Sequence, residues 1–359
     1  MKLFKPCMEI YDLVIIGGGQ SALACGYFLR RANLKYIILD DQQVGGGAWQ
    51  HVWDSLTLFS PAQHSSLPGW MMPKSENEFP SKKEVLDYLD AYQKRYELRI
   101  QHGVAVRDVR KKGDIFTVFS DQGEYQSKTI ISATGTFQKP FLPDVQGKDL
   151  FKGKQLHSSR YVNADSFMNK KVLIVGAGNS GAQILAEVSK VATTVWAAEK
   201  EPEFLPDDVD GRVLFDVASA KYHTMKEGKE FNSAQYNVGN IVMVPAVKEA
   251  RERGVLKTRS TFQSMIEDGV VWPDGSQEAF DVVIWCTGFG FATDHLISLG
   301  IIKEKGKSDC EGTRSKTVAG LWLVGYGSFT GFASATLIGV GRSARQTVSE
   351  ITEYLNLQP

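Results

Sequence analysis

Short apolar runs recur along the chain, and two of them stand directly before glycine-rich loops. Leu13, Val14, Ile15 and Ile16 lead into Gly17-Gly18-Gly19-Gln20-Ser21-Ala22; Val172, Leu173, Ile174 and Val175 lead into Gly176-Ala177-Gly178-Asn179-Ser180-Gly181. A short continuous apolar run closed by a turn predicts a buried strand. Each loop is followed by a helix-like segment and a second apolar run. Residues 10–40 and 170–198 therefore each predict strand, loop, helix, strand. Residues 81–96 predict a helix with Val85, Leu86, Leu89 and Tyr92 on one side, opened by Ser81 and Glu84 as a capping box. Residues 104–133 predict short antiparallel strands ending at Thr134-Gly135, and residues 280–290 a strand ending at Thr287-Gly288. Pro140 and Pro143 mark a linker. Residues 205–255 are more polar and lean towards helix. Near the C-terminus a buried strand is expected over 321–324. A helix is expected from about Ser334, with Leu337, Ile338, Val340, Ala344, Val348, Ile351 and Leu355 on its apolar face. The predicted fold class is α/β, with two Rossmann-like dinucleotide-binding domains and the second inserted into the first. The expected boundaries are 1–162, 163–290 and a returning segment 291–359.

The loops carry a specific chemistry. Their glycines allow a tight turn and close backbone approach to a pyrophosphate, and the helix that follows offers free N–H groups and a partial positive charge. Asp40 lies 23 residues after Gly17, and Glu199 lies 23 residues after Gly176. An acid at that offset ends the second strand and accepts a hydrogen bond from a ribose hydroxyl. One such loop is a weak signal. Two, each with its acid, imply two dinucleotides and electron transfer between them.

Composition narrows the class. The 359 residues suffice for two domains with their own cores. The 41 basic and 41 acidic residues cancel, so no net field favours nucleic acid or an anionic membrane. The four cysteines are scattered and include no C-x-x-C pair, which argues against a disulfide scaffold, a zinc site or a dithiol redox centre. Residues 1–10 hold no secretory apolar core, and a reducing cytoplasm is the expected compartment. Residues 317–341 carry no charge, but six glycines interrupt them, so a strand, a loop and a helix are expected there instead of a membrane span.

Between the two loops, Phe151, Gly153, His157 and Tyr161 form F-x-G-x-x-x-H-x-x-x-Y. This resembles the identifying sequence of the flavin-containing monooxygenases, and the likeness is greatest to short bacterial members. Gly46-Gly47-Ala48-Trp49 resembles that family's flavin-contact turn, Trp285-Cys286-Thr287-Gly288-Phe289 its Thr-Gly strand end, and Leu321-Trp322-Leu323-Val324-Gly325-Tyr326 its late flavin-contact strand. The resemblance implies that the first loop holds FAD through Gly17, Gly19, Gln20, Ser21, Ala22 and Asp40, with Gly47, Trp49, Thr134, Gly135 and Gly325 near the flavin. It implies that the second holds NADPH or NADH through Gly176, Gly178, Asn179, Ser180, Gly181, Glu199, Lys200, Thr287 and Gly288. His51, Trp53, Phe59 and Ser60 are expected to flank the flavin pocket, with no catalytic acid, base or metal ligand assigned.

The implied activity is NAD(P)H- and O2-dependent oxygenation of soft nucleophiles, organic sulfides first, through a C4a-(hydro)peroxyflavin. Tyr161 followed by Val162 favours heteroatom over ketone oxygenation, since the related Baeyer–Villiger enzymes usually carry Trp there. The alternative is an NAD(P)H oxidase or reductase that passes electrons to O2 or a quinone. The expected partners are a small-molecule substrate and O2, with a homodimer an open option and neither nucleic acid nor membrane. Two positions depart from the family pattern. Ala198-Glu199-Lys200 replaces an arginine that grips the 2′-phosphate of NADPH, which predicts use of both nicotinamides. Phe59 stands where many members have Asn, which predicts leakage to hydrogen peroxide because a phenyl ring forms no hydrogen bond.

Overall fold

The strand Ile10–Ile16 (β1) has no exposed surface at Leu13, Val14 or Ile15, so apolar side chains on both of its faces are covered. That is the condition of a central strand in a parallel sheet. In the computed structural model, which describes residues 9–226, 240–331 and 333–357, β1 is followed by the helix Gln20–Leu29 (α1) and the strand Tyr36–Asp40 (β2). β1 pairs in parallel with β2, and β2 with Ile100–His102 (β3). The capping-box helix forms over Lys82–Arg95 (α2), with both reciprocal bonds between Ser81 and Glu84 in place. Val106–Lys112 (β4), Ile115–Ser120 (β5) and Gly123–Ser132 (β6) form an antiparallel meander whose last strand also lies parallel to β1. The strand Leu321–Leu323 returns on the far side of β6.

The C-terminal helix is Val340–Asn356, starting six residues later than the periodicity suggests. Residues 333–339 form turns instead, held by Thr336 and Ala333. Its buried face includes Thr347, whose hydroxyl meets that of Thr313 at 2.5 Å. Residues 317–341 thus resolve into a strand, turns and the start of a helix. Among the described residues no helix is long and apolar enough to cross a membrane.

The chain divides into two compact units. The first comprises Met1–Gln50, Pro61–Lys139 and Gly290–Pro359; the second comprises His51–Ser60 and Pro140–Phe289. The break falls at 139/140 and not after 162, because Lys154–His157 (β7) pairs with Val282–Trp285 as an edge strand of the second sheet. That sheet is parallel throughout. Its order is Thr258–Ser260, Thr193–Ala198 (β9), Lys171–Val175 (β8), Val282–Trp285 and β7. The helix Asn179–Val188 (α3) links β8 to β9. The polar stretch contributes helices Gly211–Lys226 and Pro245–Glu252; residues 227–239 lie outside the described residues.

Candidate functional site

In the first unit the glycine loop joins β1 to α1. Gly17 has φ +102°, and a Cβ there would lie 2.7 Å from the Ala133 carbonyl oxygen, so conformation and contact both demand glycine. α1 opens at Gly19 with no side chain capping it. A Cβ at Gly19 would meet nothing within 4 Å. The first-turn N–H groups are therefore left for an anion. Other parts converge on this turn. A Cβ at Gly47 would lie 2.8 Å from Gly19 Cα, and one at Gly325 would lie 1.9 Å from Ser21 Oγ. Trp49 Nε1 donates to Gln20 Oε1 at 3.2 Å, and Gln20 Nε2 donates to the Ala335 carbonyl at 2.6 Å. Ala22 is fully buried and packs inward. The space in front of Gly135 is open.

A polar network that the sequence did not disclose lies beneath Thr134. The Thr134 N–H donates to Tyr326 Oη at 3.2 Å, and the Thr134 hydroxyl lies 2.7 Å from the same atom. Ser132 Oγ stands 2.5 Å from Tyr326 Oη and 3.0 Å from His295 Nε2. Burial pushes His295 down to about 4 and raises the Tyr326 phenol, so both are neutral at ordinary pH. Asp40 ends β2 with 1% exposure, and its Oδ2 lies 2.9 Å from His102 Nδ1. Burial raises the Asp40 carboxyl above its usual range, and hydrogen bonds from His102 and the Gln42 N–H offset part of that.

The second unit repeats the loop. Gly176 has φ +112°, and a Cβ there would lie 2.3 Å from the Cys286 carbonyl oxygen. α3 opens at Gly178, again without a side-chain cap and with no atom within 4 Å of a Cβ there. A Cβ at Gly181 would strike the Gly176 carbonyl oxygen at 2.1 Å, so glycine lets the helix pack on its own loop. Ser180 is half-buried on the first turn. The Asn179 amide is engaged elsewhere: Nδ2 donates to the Asn240 carbonyl at 3.2 Å, and Oδ1 accepts from the Val242 N–H at 2.9 Å. Glu199 and Lys200 are exposed immediately beyond β9. The Thr287 hydroxyl donates to the Phe141 carbonyl.

His157 is buried, and both ring nitrogens are engaged. The Ser159 N–H donates to Nδ1 at 3.1 Å, which places the proton on Nε2, and Nε2 donates to the Gly288 carbonyl at 2.9 Å. Burial lowers its pKa and keeps it neutral. His157 therefore ties the F-x-G-x-x-x-H-x-x-x-Y segment to the Thr287-Gly288 turn.

Of the four pocket candidates, Trp53 is buried in the second unit's core, edge-on to Tyr161 at 6.3 Å between centroids. Phe59 is 38% exposed, and its carbonyl accepts the Gly211 N–H at 2.7 Å. A Cβ at Gly211 would lie 2.0 Å from Ser60 Oγ. His51 is exposed.

Comparison with known proteins agrees with this geometry. The pyridine nucleotide-disulphide oxidoreductase family matches residues 14–325. The chain belongs to that family. Within it, this oxidoreductase groups with the flavin-containing monooxygenases: it is 46% identical to the enzyme of that name from Stenotrophomonas maltophilia, covering 97% of this chain and 100% of that one with a TM-score of 0.89. It is 31% identical to an uncharacterized oxidoreductase, CzcO-like, of Geobacillus kaustophilus, over 96% of this chain and 99% of the relative. A rice indole-3-pyruvate monooxygenase, YUCCA4, is 27% identical over 97% and 89% of the two chains.

Proposed function

We propose that this oxidoreductase is an FAD-dependent monooxygenase that uses NADH or NADPH and O2 to oxygenate small soft nucleophiles, organic sulfides before amines. The overall reaction balances as NAD(P)H, a proton, O2 and sulfide giving NAD(P)+, water and sulfoxide. One observation carries the reading. In both units a left-handed glycine runs under the carbonyl that precedes a Thr-Gly turn, and the helix beyond starts uncapped beside open space. Each cradle fits a dinucleotide pyrophosphate.

Bound flavin supplies hydride acceptance and oxygen activation. The chain's own residues bind and orient. The first-turn N–H groups of α1 hold the FAD pyrophosphate, and Asp40 accepts a ribose hydroxyl. Trp49 and Gln20 brace the turn behind Gly47. The first-turn N–H groups of α3 hold the nicotinamide dinucleotide. There Glu199 accepts from a 2′-hydroxyl, while Lys200 neutralises a 2′-phosphate as a point charge. Phe59, standing where the family pattern has Asn, would offer no hydrogen bond to activated oxygen, and a share of the reducing power is expected to escape as hydrogen peroxide.

The test is to supply purified protein with FAD, NADH and methyl phenyl sulfide in air, and to quantify sulfoxide, peroxide and NADH consumed. Sulfoxide formed from NADH, with a measurable peroxide share, is expected. NADH consumption matched entirely by peroxide would replace the proposal with an oxidase.

A further inference from the structure

His102 ends β3 and Asp40 ends β2; the two lie opposite each other in the parallel register of the first sheet. The strands are closed together there by two backbone bonds, the Val104 N–H to the Asp40 carbonyl at 2.8 Å and the Gly103 N–H to the Gln42 carbonyl at 2.9 Å. The side chains meet across this closure, His102 Nδ1 to Asp40 Oδ2 at 2.9 Å. Asp40 is shut away from water, whereas the His102 side chain keeps 23% of its surface. The Asp40 carboxyl also presses on the glycine loop: a Cβ at Gly18 would lie 2.2 Å from Asp40 Cγ. Among the described residues its other oxygen, Oδ1, meets one hydrogen-bond donor, the Gln42 N–H, at a long 3.4 Å. A carboxylate oxygen has room for a second donor.

A buried carboxylate with no fixed partner would lose ionisation or turn away. We propose that His102 is a positioning residue for FAD: its Nδ1–H holds Asp40 Oδ2, which keeps the carboxylate ionised and leaves Oδ1 to receive the adenosine ribose hydroxyl. The inference rests on the reading that the first loop holds FAD. It extends that reading to a residue 62 positions away from the acid it serves. Any group that donates one N–H from the Nδ1 position suffices. Asparagine, whose amide nitrogen sits near that position, replaces His102; phenylalanine, of similar ring size without a donor, does not.

The experiment strips flavin from full-length wild-type, His102→Phe, His102→Asn and Asp40→Asn proteins. FAD is titrated by quenching of its fluorescence and ADP by calorimetry, with a thermal melt of each apoprotein beside them. A hydrogen bond to a charged group corresponds to a change of about tenfold to a hundredfold. His102→Phe is expected to weaken FAD and ADP together by about tenfold or more, with its melt near wild type, and His102→Asn to restore both to within about threefold. His102→Phe binding FAD as wild type does, or His102→Asn failing as His102→Phe does, overturns the inference while wild-type and Asp40→Asn behaviour leaves the first-loop reading intact. Wild type that takes up no FAD overturns that reading and the inference with it; Asp40→Asn that binds FAD undiminished overturns the inference alone, since the loop still holds FAD.

Discussion

At the scale of single residues, the buried titratable groups set the pH behaviour. His295 is held neutral by burial, its pKa brought from 6.5 to about 4. The folded chain binds that proton more weakly than the unfolded one. The contribution is therefore fully present above pH 6.5 and is lost as pH falls towards 4. A shift of this size corresponds to about 3 kcal/mol. His295→Gln keeps a donor and acceptor near Ser132 Oγ but carries no titrating group. Urea unfolding from pH 7 to 4.5 is expected to show a steeper loss of stability in the wild type than in His295→Gln; parallel curves would refute the assignment. The proposed nicotinamide selector is also a residue-scale question, because the proposal assigns both Glu199 and Lys200 to one phosphate. Glu199→Ala removes the charge that opposes a 2′-phosphate and is expected to raise the NADPH:NADH ratio of kcat/KM about tenfold, worth about 1.4 kcal/mol. Lys200→Ala is expected to lower that ratio by a similar factor. Steady-state kinetics with both nicotinamides decides it, and an unchanged ratio in both variants would remove these residues from selectivity.

At the scale of elements, His51–Ser60 is a strap whose sequence neighbours on both sides belong to the first unit, while it packs with the second. Its anchors are Trp53 against Tyr161, the Asp54 N–H on the Val162 carbonyl at 2.9 Å, Ser55 Oγ on Glu187 Oε2 at 2.9 Å, and the Phe59 carbonyl on Gly211 at 2.7 Å. Tyr161, the last residue of the F-x-G-x-x-x-H-x-x-x-Y run, thus serves as a packing surface for the strap and also stacks against Phe167. Trp53→Ala empties a buried site and is expected to cost about 3–5 kcal/mol in chemical denaturation. It is also expected to loosen the strap, read as faster amide exchange over residues 51–60 than over α3. A loss below about 1 kcal/mol would mean that the strap is held by its hydrogen bonds and not by Trp53. None of this was legible from the chain. The 51–60 run shows neither helical nor strand periodicity, and Trp53 reaches Tyr161 only through the fold. The capping-box helix was legible because its signal spans four residues, Ser81 to Glu84.

At the scale of the whole molecule, the readable features were those written locally and twice. Each glycine loop lies beside its own strand and helix, so the loops and the interruption of one unit by another could be read from spacing. The network of Ser132, His295 and Tyr326 spans 163 and 194 positions, and it joins residue types that are common anywhere in a chain. Nothing local marks them, because their pairing exists only once the two ends of the first unit's chain share a sheet. The same duplication makes a sharp prediction, since each unit closes its loop with its own carbonyl, Ala133 for Gly17 and Cys286 for Gly176. Alanine at either glycine must adopt a strained left-handed backbone, at about 1–3 kcal/mol, and must displace a carbonyl as well. Gly17→Ala is expected to purify without FAD. Gly176→Ala is expected to keep FAD at one per chain and to be reduced by dithionite, yet to lose reduction by NADH and NADPH alike. Flavin content by absorbance and anaerobic reduction by each donor read the two losses separately. Loss of FAD from Gly176→Ala, or rapid reduction of it by NADH, would show that the two cradles do not divide the cofactors between them.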